Sequence, residues 1–307
     1  MASDLPVRIR AFAKINVTLR VLGVRPDGYH ELRTVFQSLA LHDRLTFVPA
    51  DGPFAIECDD PACPTDRTNL VWHAAELVWR AARRPGVLRG VRVRLEKGIP
   101  SQAGLGGGSS DAAATLRVLA GAWCPKLDHE QLADLGRALG ADVAFFLRGG
   151  TALGVERGDR LFPLADAPPA WVVLARPDFG VSTAAAYRWF DEMAAAKPIA
   201  TGPRPSSAGR GPNGAAGPYG DGGNDLQGPV EARHSSVARL VRSLYRQGAS
   251  WAAMSGSGSV CFGLFSARQQ ARKAAAALQS PRLTTIVTRT QTAAEYSRAT
   301  RPTRPGR

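Results

Sequence analysis

Residues 100–116 read PSQAGLGGGSSDAAATL and pack Gly104, Gly106, Gly107 and Gly108 into five positions ahead of an alanine-rich helical stretch. Glycine admits positive φ and lets a ligand approach bare backbone. The start of a helix adds unpaired N–H groups and a partial positive charge. A glycine loop that feeds a helix therefore forms a cradle for phosphate. Ser109 and Ser110 can cap that helix or donate hydroxyls to the anion, and Asp111 in the first turn is expected to complement the helix dipole. A turn that only links strand to helix explains one or two glycines, but poorly explains four beside two serines. The familiar phosphate motifs do not match. GxxxxGK[ST] lacks its lysine here. GxGxxG meets Ser109 when begun at Gly104 and Asp111 when begun at Gly106, so neither a dinucleotide fingerprint nor a protein-kinase loop is present.

The surrounding pattern says what must hold this loop. In VRIRAFAKINVTLRVLG, Val7, Ile9, Ala11 and Ala13, then Ile15, Val17, Leu19 and Val21, alternate with polar residues. This predicts one long strand or two joined by a bend. A Pro26-Asp27-Gly28 turn and a second strand-like run through Leu45 and Phe47 predict an antiparallel start. Leu70, Val71, Ala74, Leu77, Val78 and Ala81 have helical spacing, with Thr68 or Asn69 as N-cap and Pro85-Gly86 as the stop. A strand with Val91, Val93 and Leu95 inward precedes the glycine loop, so strand, loop and helix are consecutive. A boundary near Leu164 to Pro169 divides the chain into 1–164 and 165–307. The second part reads as helix (235–247), strand (WAAMSGSGSVCFGLF), helix (267–279) and strand (LTTIVTRT), a small α+β sandwich. Residues 197–223 hold eight glycines and five prolines and are expected to form a mobile loop.

Length and composition bound the function. The 307 residues suit two domains, and 44% hydrophobic with 21% charged residues is the balance of a globular protein. The first residues lack a basic stretch followed by an apolar one, and no later stretch approaches the ~20 apolar residues of a membrane span, so a cytoplasmic protein without a membrane partner is expected. Cys58, Cys63, Cys124 and Cys261 form no CxxC pair, so reduced structural thiols are expected rather than a zinc site or disulfides. The net charge of +13 raises nucleic acid as a partner, but eight of those charges lie from Arg268 onward, ending in SRATRPTRPGR. A solvated basic tail is the expected reading, and nucleic-acid binding is not favoured.

Pro100-x-x-Ala103-Gly104-Leu105-Gly106-Gly107-Gly108-Ser109-Ser110-Asp111-Ala112 resembles the ATP loop of the GHMP kinases. AKINVTLRVLGVRPDGYHEL (13–32), LGADVAFFLRGGTALGVERGD (139–159) and MSGSGSVCFGLF (254–265) resemble one branch of that family, whose acceptor is a small cytidine diphosphate compound. The resemblance implies an α+β two-domain fold, the N-terminal half like ribosomal protein S5 domain 2 and the C-terminal half a ferredoxin-like sandwich. It implies ATP and Mg2+ as cofactors and a small-molecule acceptor in the cleft between halves. Homoserine-type and mevalonate-type kinases, and a noncatalytic RNA-binding protein, are the alternatives.

By this resemblance Pro100, Ser101, Gln102, Ala103, Gly104, Leu105, Gly106, Gly107, Gly108, Ser109 and Ser110 hold the nucleotide, with Ser101-Gln102 departing from the small or apolar residues of the family pattern. Asp142 accepts the proton of the acceptor hydroxyl, and Lys14 keeps that carboxylate charged and stabilises the transferring group. Tyr29 and His30 contact the cytosine, Asn16 shares the strand face of Lys14, and Tyr187 sandwiches the base with Thr183 beside it, unless Tyr187 is core packing. Magnesium is expected with ATP, and Ser110 is the one candidate ligand. The SGSGS loop, 255–259, is expected to close over the phosphates, or else to be a simple turn.

Overall fold

The computed structural model describes residues 6–196 and 223–304. The first half opens with β1 (Val7–Val24) and β2 (His30–Pro53), paired antiparallel across the 25–29 turn. Next come β3 (Ala55–Cys58), α1 (Leu70–Ala81), β4 (Arg89–Glu96) and α2 (Gly107–Trp123). Helices α3 (His129–Leu139) and α4 (Ala141–Arg148) lead to the hairpin of β5 (Thr151–Glu156) and β6 (Arg160–Pro163). The sheet runs β3-β4-β2-β5-β6, with β1 also paired to β2. The second half contains β7 (Trp171–Pro177), α5 (Thr183–Ala196), α6 (Gln227–Arg233), α7 (Ser236–Arg246), β8 (Trp251–Met254), β9 (Cys261–Phe265), α8 (Arg268–Leu278), β10 (Leu283–Arg289) and α9 (Ala293–Ala299). Its antiparallel sheet runs β10-β7-β9-β8. The βαββαβ order with this strand arrangement is ferredoxin-like.

Strand β1 links the two halves. Its register slips between Phe12 and Lys14, again between Asn16 and Thr18, and once more between Val21 and Gly23. Such bulges bend a strand and re-aim its side chains. Val7, Ile9 and Ala11 pack in the first core, with α1, α2 and α4, whereas Ala13, Ile15 and Val17 join a cluster containing Val172, Leu174 and Phe262 of the second sheet. Lys14 and Asn16 lie on the opposite face, between two register slips, and are both buried.

Several expectations need correction. Helix α2 begins at Gly107, within the glycine run, and Gly106 is its N-cap. The stretch 251–265 is two strands, and the SGSGS loop is the bend between them. The basic end is partly anchored: Tyr296 is buried with its hydroxyl on the Phe146 carbonyl, and Thr303 exchanges backbone hydrogen bonds with Arg8. Of the two N-cap candidates for α1, Asn69 is the one that caps it, as the sequence allowed. The glycine- and proline-rich stretch, except Gly223, lies outside the described residues. Among the described residues no helix is long and apolar enough to cross a membrane.

Candidate active site

The glycine loop, the β1 bulges, the 25–29 turn and the N-terminal end of α5 all face one cleft of about 1190 Å³. The glycines answer to different neighbours. Gly104 has φ +70°, and a Cβ there would sit 2.3 Å from the Ser255 carbonyl oxygen. Gly106 has φ +74°, and its Cβ would sit 2.6 Å from the Phe146 ring. Bare backbone thus lets the SGSGS loop and α4 close on the loop. Beyond Gly106, α2 has no side-chain cap, and its first intrahelical bond is Ser110 N–H to the Gly106 carbonyl. The N–H groups of Gly107, Gly108 and Ser109 precede that bond, and all three residues line the cleft. An uncapped helix start of this kind attracts anions.

Two hydrogen bonds fix the loop, and a third holds one of its partners. The Lys14 N–H donates to the Leu105 carbonyl at 3.0 Å. The Ser255 hydroxyl donates to the Gly104 carbonyl at 3.0 Å and accepts from the Asn16 N–H at 3.2 Å. Asn224 donates from Nδ2 to the carbonyls of Met254 and Gly256, at 2.8 and 2.6 Å, and so holds the second loop from beneath.

Lys14 reaches the cleft from strand β1. Its Nζ lies 3.2 Å from Asp142 Oδ2, with side-chain exposures of 4% and 32%. The same Nζ donates to Asn16 Oδ1 at 2.6 Å, and Asn16 Nδ2 donates to the Thr34 hydroxyl at 2.7 Å. Asp142 occupies the first turn of α4, where the exposed N–H groups favour a negative charge. Gly140 caps that helix, so Asp142 is not spent as a cap. The cation is therefore buried and oriented by Asp142 and by Asn16, which Thr34 holds in turn, while Asp142 itself remains about one-third exposed.

The expected base-contacting residues line the same cleft. Tyr29 tips the 25–29 turn, 58% exposed, with the Arg157 guanidinium 5.2 Å from its ring centre. His30 stacks on Tyr187 with ring centres 4.6 Å apart. Burial, and then the negative charge of Asp142, push the Tyr187 phenol up from its ordinary value. The Thr183 hydroxyl lies 3.2 Å from that of Ser257. Thr183 and Tyr187 are one helical turn apart on α5, and both line the cleft. Tyr187 thus meets His30 directly and also borders the second core.

The structure does not bring Ser110 to the cleft. Its hydroxyl is buried and donates to the Phe12 carbonyl at 2.7 Å, which removes the one candidate metal ligand. Asp111 also differs from expectation: α2 has no acidic residue in its first turn, and Asp111 is buried against Lys97. Lys97 Nζ donates to Asp43 Oδ2 and Asp111 Oδ2, at 2.5 and 2.7 Å. Asp43 Oδ1 accepts the N–H groups of Gly98 and Ile99, where the chain leaves β4 for the loop. This cluster draws on three separate segments, and no local sequence pattern announces it.

Burial, reinforced by Asp43, overrides the pull of Lys97 and pushes the Asp111 carboxyl up to about 8. Unfolded, the same group ionises near pH ~4. Its contribution to stability is therefore full below about pH 4 and is lost as pH rises through about 8, because the folded state holds the proton longer. Each pH unit within that window favours unfolding by up to about 1.4 kcal/mol. Asp111→Asn cannot titrate, so urea unfolding is expected to show a flatter dependence of stability on pH than the wild type. Parallel profiles would contradict this.

Comparison with known proteins agrees with the geometry. Residues 69–150 match the GHMP kinases N terminal domain, and residues 215–281 match GHMP kinases C terminal. The 4-diphosphocytidyl-2-C-methyl-D-erythritol kinase of Pelotomaculum thermopropionicum is 44% identical, over 91% of this chain and 96% of that protein. Its namesake in Moorella thermoacetica is 43% identical, over 91% and 97%. A crystal structure of 4-(cytidine 5'-diphospho)-2C-methyl-D-erythritol kinase superposes with a TM-score of 0.74 at 37% identity, covering 92% of this chain and 98% of that one. Homoserine kinase from Cytophaga hutchinsonii, at 17% identity and a TM-score of 0.61 over 95% and 96%, shares the fold. An anion-ready loop, a buried lysine on an open aspartate and an extended sequence match meet in one chain, which belongs to the 4-diphosphocytidyl-2-C-methyl-D-erythritol kinases of the GHMP superfamily.

Proposed function

We propose that the cleft transfers the γ-phosphoryl group of ATP to the 2-hydroxyl of 4-diphosphocytidyl-2-C-methyl-D-erythritol, on the nonmevalonate route to isoprenoid precursors, in the cytoplasm. The observation that carries the reading is the Lys14–Asp142 pair beside the uncapped start of α2, in the same cleft as Tyr29 and His30. Phosphoryl transfer passes through a loose transition state, so positioning and charge neutralisation dominate.

The geometry supports a role for each residue. The N–H groups that open α2 bind the triphosphate. Lys14, held by Asn16, neutralises charge on the group in transit and keeps Asp142 oriented. Asp142 accepts the hydroxyl proton as the phosphoryl group moves. Among the described residues no group of three or more His, Cys, Asp or Glu side chains could hold a metal ion. Magnesium would come bound to the nucleotide phosphates and would neutralise the triphosphate, and Ser109, which lines the cleft, could offer it a hydroxyl. Tyr29 and His30 favour an acceptor that carries a base over homoserine or mevalonate.

The test is identification of the product. With magnesium ATP and the cytidylated acceptor, phosphorus NMR is expected to show ADP and one new monoester on the acceptor. Tyr29→Ala should raise KM for this acceptor about tenfold or more, the scale of lost base stacking, while KM for ATP stays within about twofold. Formation of ADP and free phosphate without the ester would refute the assignment.

A further inference from the structure

Helix α5 presents a third residue to the cleft. Asp191 follows Thr183 and Tyr187 at the same four-residue interval, and its Oδ1 lies 2.8 Å from His30 Nε2. The contact joins the two halves of the molecule, and none of the roles assigned above uses it. His30 is the better buried partner, at 13% side-chain exposure against 49% for Asp191.

A carboxylate accepts hydrogen bonds and does not donate them, so the hydrogen in this contact belongs to Nε2. In a neutral imidazole with Nε2–H, the other nitrogen is an acceptor. Among the described residues Nδ1 has no hydrogen-bonding partner, and the His30 ring lines the cleft. A ring flip would break the Asp191 contact while the ring remains stacked on Tyr187. The helix therefore sets which nitrogen offers a lone pair.

We propose that Asp191 is a specificity-determining positioning residue: it locks His30 as the Nε2–H tautomer, so that Nδ1 accepts from the exocyclic amino group of cytosine and rejects uracil. The proposal rests on the reading above that a cytidine diphosphate compound is the acceptor. Cytosine presents an N4 amino donor at the position where uracil, like thymine, presents a carbonyl acceptor. Against Nδ1 the uracil oxygen would leave two acceptors facing each other, and a site built around a hydrogen bond discriminates strongly against a ligand that cannot complete it. Without Asp191 the imidazole is free to carry its proton on Nδ1, which donates to the uracil oxygen as readily as the locked ring accepts from cytosine.

The experiment measures kcat/KM for the cytidine and uridine diphosphate forms of the acceptor at saturating magnesium ATP, with the full chain. The wild type should prefer the cytidine form by about 100-fold or more. Asp191→Ala should cut that ratio by about tenfold, raising KM for the cytidine form and lowering it for the uridine form, as expected for one hydrogen bond. KM for ATP should stay within about twofold of wild type, and Asp191→Glu, which can still reach the ring, should restore the preference. Thermal melts of both variants separate misfolding from loss of selectivity. An unchanged ratio in Asp191→Ala, or equal losses with both bases, would overturn the proposal while leaving the kinase reading intact. A wild type that phosphorylates neither form would overturn both.

Discussion

Asp142→Asn is expected to leave a folded protein that binds ATP but turns over about a thousandfold more slowly, within the range of general base catalysis. The amide preserves shape and removes the charge that receives the hydroxyl proton. It also leaves the Lys14 ammonium, 4% exposed, with the Asn16 oxygen and the Phe36 ring 5.4 Å away. A buried cation that loses its counterion destabilises the fold, here only in part because Asp142 is one-third exposed. The melting temperature should fall by a few degrees, on the order of 1 kcal/mol for a chain of this size. ADP release at saturating acceptor, with nucleotide affinity from calorimetry, checks the result. Turnover within about tenfold of wild type would remove Asp142 from the proposed chemistry.

Gly104→Ala is expected to damage both stability and nucleotide binding. The new methyl would stand 2.3 Å from the Ser255 carbonyl oxygen, on a residue with φ +70°. Ser255 is itself tied to Gly104 and to Asn16, so the clash cannot be relieved by rotating a side chain. Overpacking and left-handed backbone together cost about 2–4 kcal/mol. KM for ATP should rise by more than about tenfold, because the loop would separate from the SGSGS bend that shapes it. At Gly108 a Cβ would meet only Leu70, at 3.9 Å, so Gly108→Ala should fold normally. Equal stability of the two variants, in the same denaturant series, would contradict this account of the loop.

The parts of the site legible in the sequence are those whose residues stand close together. The glycine run, the Pro26-Asp27-Gly28 turn and the alternation of β1 are local patterns, and each forms the kind of element it predicts. The Thr183, Tyr187, Asp191 interval is equally local, since the four-residue step from Thr183 to Tyr187 leads on to Asp191 one turn later in α5. The Lys97–Asp43–Asp111 cluster was not legible, since strand pairing and the seating of α2 bring its members together from distant positions. Nor was the turning of Ser110 onto Phe12, which depends on how α2 packs against β1. The charge run at the end of the chain suggested solvation, but Tyr296 and Thr303 show that apolar packing and strand pairing anchor part of it.

The central claim is tested most directly by ADP release from magnesium ATP with four acceptors: 4-diphosphocytidyl-2-C-methyl-D-erythritol, methylerythritol phosphate, mevalonate and homoserine. The account predicts turnover with the cytidylated acceptor and background rates with the other three. Comparable turnover with mevalonate or homoserine, or none with the cytidylated compound, would contradict it.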